Sequence, residues 1–167
     1  VKALRDWLGL EKRPVKVHEP YQMLGWIDRD LKEALGVDTE AVFPYGTLFG
    51  FPNRGWKEWR SPWGQDLLVP RDFKVTRDPS GDTLIYPEGD LKARPSGRMP
   101  SSGFFFDTIV RQAMIDEDHL DPEDNLEEFK APSAEELACL RREAGKAADS
   151  GRAVVLTLSG TALGDIA

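Results

Sequence analysis

The residues best placed to do chemistry stand near the end of the chain. Residues 159–165 read Ser-Gly-Thr-Ala-Leu-Gly-Asp and follow an apolar run at 153–158. Gly160 and Gly164 would let a ligand approach the backbone. Thr161 offers a hydroxyl and Asp165 a carboxylate. Loops at the carboxyl ends of parallel strands are where α/β folds bind ligands. The same residues also fit a tight βα turn, with Asp165 at a helix N-terminus, where negative charge is favoured. Neither the Gly-Lys-Ser/Thr ending of a phosphate loop nor a dinucleotide fingerprint is present.

Other groups offer less. Lys92, Arg94 and Arg98 lie close together among Pro and Gly residues and could bind carboxylates, although surface charge on a loop explains them as well. Trp56, Trp59 and Trp63 could stack on a planar ligand, but such large rings more often dock one element on another. His18 ends a short strand and reads as structural, and Cys139 reads as a small apolar group on a helix. Residues 116–128 carry eight acids in thirteen positions without the spacing of a calcium loop, and read as a solvated loop. No nucleophile–base pair and no His-Glu-x-x-His helix occurs.

The elements that must hold these residues follow from periodicity. A helix is expected over 1–8, with Val1, Leu4, Trp7 and Leu8 inward and Gly9 as its stop. Residues 14–18 alternate as a strand. A second helix is expected from Pro20 to Leu35, with Met23, Leu24, Ile27, Leu31, Ala34 and Leu35 as its apolar stripe and Gly36 as its close. A short strand follows at 41–43. Over 44–103, Pro, Gly and Trp dominate, and 73–77 and 83–86 flank an Asp-Pro-Ser-Gly-Asp turn, which predicts an antiparallel ribbon with 65–69 as its third strand. Another strand is expected near 104–110. Ser133 and Glu136 form a capping box that opens a helix reaching about Asp149, with Leu137, Leu140, Ala144, Ala147 and Ala148 inward. The run 153–158 reads as a strand buried on both faces. Helix, turn, buried strand and glycine turn make the pattern of an α/β parallel sheet.

Composition narrows the function classes. The chain has 167 residues, 40% hydrophobic and 31% charged, enough apolar material for one core or part of a larger one. Asp and Glu outnumber Lys and Arg by 29 to 22, giving a net charge of -7 and arguing against nucleic acid as a partner. No run approaches the roughly 18 apolar residues of a membrane span. A single cysteine excludes an internal disulfide and fits a reducing, cytoplasmic setting. With two histidines, a self-contained His/Cys zinc site is not expected, so no metal is assigned to these residues. Both ends read as cut from something longer.

Several stretches taken together resemble the uroporphyrinogen decarboxylase-like superfamily. They are 19–23 (Glu-Pro-Tyr-Gln-Met), 34–38 (Ala-Leu-Gly-Val-Asp), 59–64 (Trp-x-x-Pro-Trp-Gly), 85–90 (Ile-Tyr-Pro-Glu-Gly-Asp), 103–107 (Gly-Phe-Phe-Phe-Asp) and 159–165. The resemblance runs over essentially the whole chain and rests on their order and spacing. It implies the N-terminal half of a (β/α)₈ barrel carrying the 44–103 ribbon as an insertion, since a closed barrel needs about 250 residues. It also implies a ligand mouth to which Gly160, Thr161, Asp165, Tyr45 and Arg98 are assigned.

The resemblance divides within the family. The arginine-rich N-terminal motif by which the decarboxylases hold substrate carboxylates is absent, and Arg111, Gln112 and Ala113 match its letters in another context. The decarboxylases' essential Asp, counted along from the Leu-Gly-Val-Asp segment, falls on Tyr45. A phenol of pKa about 10 is no fixed anion at neutral pH. The methyl-transfer branch is therefore expected, with zinc held by His and Cys residues outside this segment, a corrinoid protein as partner and a small-molecule substrate. True uroporphyrinogen decarboxylation is the alternative. A non-catalytic module docking through the Trp-rich ribbon is another, and a purely structural segment a third. Homo-oligomerisation is compatible with each.

Overall fold

The structure is a computed structural model and describes residues 1–110, 118–119 and 131–156. They form mixed α/β structure with three sheets, few helices and no closed barrel. Two compact units divide the chain, the first from Val1–Val37 and Gly46–Arg111, the second from Asp38–Tyr45 and Gln112–Ala167.

The first unit is mostly β. Helix α1 (Lys2–Trp7) precedes β1 (Val15–Glu19) and β2 (Leu24–Gly25). Helix α2 (Arg29–Leu35) ends on Gly36, whose left-handed backbone (φ 67°) suits a residue without Cβ. Strands β4 (Lys57–Arg60) and β5 (Asp66–Val69) join the first two in a sheet of order β2-β1-β5-β4, with β1 parallel to β5. Strands β6 (Val75–Arg77), β7 (Thr83–Ile85), β8 (Gly97–Met99) and β9 (Asp107–Thr108) make an antiparallel meander. The expected hairpin across 78–82 is present. Asp78 holds its turn by accepting from the Ser80 and Asp82 amides. The expected third ribbon strand is present too, but pairs with β1 and β4 instead.

One core joins these two sheets. It contains Val15, Val17, Leu67 and Val69 from the first, Ile85 and Met99 from the second, and Phe49, Phe51, Phe73 and Phe106. Edge-to-face contacts link Phe73 to Phe51, Phe106 and Trp59. Such packing adds to the area the rings bury.

Two expected helical faces are corrected in this unit. The helix expected from Pro20 begins only at Arg29. Before it, the Glu19 carboxylate accepts from the Tyr21 and Gln22 amides, Met23 takes a left-handed φ of 56°, and Leu24–Gly25 pairs with β1. A local side-chain turn and a strand partner outweigh the periodicity there. Helix α1 forms, but turned outward from the expected packing. Arg5 is buried at 2% exposure, whereas Trp7 is 79% exposed. The ion pairs of Arg5, described below, set that rotation.

In the second unit, β3 (Thr39–Val42) lies parallel to β10 (Ala153–Leu156), with α3 (Ala134–Ala148) between them in sequence and packed on both. The capping box forms as expected, the Ser133 hydroxyl accepting from the Glu136 amide and the Glu136 carboxylate from the Ser133 amide. The expectation that the last strand is buried on both faces is overturned. Val154, Val155 and Leu156 are 44%, 50% and 52% exposed. Among the described residues only β3 pairs with β10, and α3 contributes Ala147 as its one buried residue, so neither face is closed.

Candidate functional site

The parallel pair is where a ligand loop was expected. Its register sets Val42 beside Leu156. Tyr45, half-buried, follows Val42 by three positions. Gly160, Thr161 and Asp165 lie outside the described residues, as does most of the acidic stretch 116–128.

The remaining expected site residues are dispersed. Arg98 sits on β8, between Leu84 of β7 and Asp107 of β9. Its guanidinium is exposed and stands 3.6 Å from Asp82, which also accepts from the Ser101 amide. That contact ties Arg98 to the hairpin end of the meander. Trp59 and Trp63 pack against the core, Trp59 on Phe73 and Trp63 on Phe104, which supports the docking reading of these rings over ligand stacking. Trp56 differs. Lys16 lies over its ring, 5.7 Å from the centroid. His18 is half-buried, edge-on to Trp26 at 5.8 Å, and burial lowers its pKa below the usual 6.5. Cys139 accepts a hydrogen bond from Arg142 one turn on.

The strongest electrostatic constellation was not among the expected residues. Arg5 donates from Nη1 and Nη2 to the two Asp30 carboxylate oxygens at 2.9 and 2.8 Å, and from Nε and Nη2 to the Glu11 carbonyl. Arg13 reaches Asp28 at 3.2 Å, Asp30 at 2.8 Å and the Glu11 carboxylate at 2.8 Å. The hydrogen bond from Arg5 pulls the Asp30 pKa down to about 2, aided by the Leu31 amide and by the charges of both arginines. Asp28 and Asp30 flank the start of α2, where negative charge is favoured. The Asp30 oxygens are taken up by Arg5, Arg13 and the Leu31 amide, and those of Asp28 by the arginines, which points to a structural rather than a proton-transfer role. The network fastens α1 to α2. The available signal was Asp-Arg-Asp at 28–30 with an arginine inside an apolar helical pattern at position 5.

This network forms one side of a cleft of about 600 Å³, lined by Arg13, Pro14, Lys16, Asp30, Glu33 and Leu68, among others. Among the described residues no group of three or more His, Cys, Asp or Glu is placed to hold a metal ion. No described helix is long and apolar enough to cross a membrane. No protein-family model, curated protein or solved structure matches the chain.

Proposed function

We propose that this chain is part of a uroporphyrinogen decarboxylase-like enzyme of the methyl-transfer type, acting in the cytoplasm on a small-molecule substrate with a corrinoid protein as partner. The order and spacing of the six sequence stretches support the family. The observation that supports the reading best is the parallel pairing of β3 with β10, with α3 packed on both. Parallel barrels are built from strand pairs covered by a helix in this way, here with residues 46–111 of the first unit inserted between β3 and α3. In sequence, the loop carrying Gly160 follows Leu156 and the loop carrying Tyr45 follows Val42, its register partner. A half-barrel completed by further strands would bring these loops to its mouth.

Tyr45, at the position counted to the decarboxylases' essential Asp, favours methyl transfer over decarboxylation. A phenol donates or accepts one hydrogen bond at neutral pH and offers no fixed charge to pyrrole N–H groups. Zinc in that branch would be held by His and Cys residues outside this segment; among the described residues no three such donors converge.

The test uses the protein from the complete reading frame. Methyl transfer from a methyl donor to free cob(I)alamin, or from methylcob(III)alamin to an acceptor thiol, with no carbon dioxide released from uroporphyrinogen, is the expected pattern. Decarboxylation without methyl transfer would establish the alternative chemistry, and neither activity would remove the enzymatic reading. Asp165→Asn separates charge from packing at the expected loop. A ligand role predicts lost turnover at unchanged Tm, whereas a helix-terminal role predicts a loss of about 0.3–1 kcal/mol with turnover intact.

A further inference from the structure

The first unit carries a cleft in which one lining cation stands outside the ion pairs. Asp28 and Asp30 are met by Arg5 and Arg13, and Glu33 by Arg29 at 2.8 Å. Lys16 stands apart from these pairs. Among the described residues no carboxylate lies within ion-pair distance of its ammonium, which rests over the Trp56 ring instead. Its place follows from strand geometry. Val15 and Val17 point into the core, so the residue between them takes the opposite face of β1. Leu68 is its register partner on β5, between core-facing Leu67 and Val69, and so shares that outer face. Lys16 and Leu68 both line the cleft with Pro14. One unpaired cation therefore sits beside apolar surface and an indole ring, opposite a wall of saturated ion pairs.

We propose that this cleft binds a planar organic carboxylate, its anionic group on Lys16 and its apolar body over Leu68 and Pro14, beside Trp56. The arginines of the opposite wall are already paired with Asp28, Asp30 and Glu33 and leave no free cation among the described residues there for a second anionic group, which favours a single carboxylate over a polyanion. An ammonium that already stacks on an indole gains a charge-assisted partner without leaving the ring. The cleft lies wholly within the first unit, and the proposal does not rest on the reaction proposed above.

The experiment titrates the full chain with benzoate, and in parallel with benzamide as the uncharged control, following indole fluorescence. Saturable quenching by benzoate is expected in the millimolar range, with benzamide about tenfold weaker. Lys16→Gln should weaken benzoate about tenfold and bring it level with benzamide, while Lys74→Gln, an exposed lysine outside the cleft, should leave it unchanged. Leu68→Glu supplies a carboxylate across the register from Lys16 and should abolish benzoate binding. Circular dichroism checks that each variant is folded. Benzoate binding no tighter than benzamide, no saturable quenching by benzoate, or native benzoate affinity in folded Lys16→Gln or Leu68→Glu, would each overturn the proposal.

Discussion

In the first unit Phe51, Phe73 and Phe106 are sealed from solvent, whereas in the second every residue of β10 is open to it. Both units contain a parallel strand pair, β1 with β5 in one and β3 with β10 in the other. What separates them is what surrounds the pair. β1 and β5 are flanked by antiparallel partners and covered by aromatic rings from the loops and the meander. Among the described residues β3 and β10 have each other and one helix. Parallel strands are stable when both faces are covered, so strand pairing by itself does not make a core.

That contrast can be tested in order of expected effect. Phe73→Ala removes a fully buried ring that touches three other aromatics, and should cost about 3–5 kcal/mol in urea unfolding. Val155→Ala on the open strand should change stability by less than about 1 kcal/mol. Similar losses at the two positions would break the comparison.

Gly89 is next. Its φ is 71°, and a Cβ there would collide with the Asp72 carbonyl oxygen. Gly89→Ala should cost about 1–3 kcal/mol from backbone conformation, with the collision adding to it, read as a lower urea midpoint. Smaller still is Ser133→Ala, which removes one half of the capping box of α3. About 1 kcal/mol of helix stability should go, visible as faster amide exchange in the first turn while the first unit's exchange is unmoved.

The smallest effects are those of pH. Asp30 is held down to about 2 by Arg5, so its contribution is complete above its ordinary 3.8 and lost as pH falls from there through about 2. The Tm difference between the native chain and Asp30→Asn should shrink across that window. Burial lowers the His18 pKa, so the neutral ring favours the folded state above pH 6.5 and the advantage fades as pH drops below it. His18→Phe should flatten that part of the Tm profile.

Elements defined by local chemistry were legible in the sequence. The capping box of α3 and the Asp-Pro-Ser-Gly-Asp hairpin are closed by side chains within a few residues of their partners. Packing partners were not legible. The stripe of Met23, Leu24, Ile27 and Leu31 reads as one helix until β1 takes Leu24–Gly25 as a strand. Val1, Leu4 and Trp7 read as an inward face until Arg5 finds Asp30, twenty-five positions away. The loop expected at Gly160, Thr161 and Asp165 lies outside the described residues, and of its surroundings the structure describes the parallel pair β3 and β10. The charge network at Arg5 and Arg13 escaped because its members are scattered between positions 5 and 30 and meet only through tertiary contact.

The division of the chain also has a consequence in time. Strand β3 leaves the ribosome before most of the first unit, yet its partner, starting at Ala153, is among the last described residues to be made. At cellular synthesis rates that wait is on the order of 10 s, far longer than the microseconds in which a hairpin closes. The first unit has its whole core by Phe106 and can condense while β3 is still without its ladder. During that interval Thr39 and Glu40 keep half of the waiting strand polar, which makes it a poor template for the nascent chains beside it.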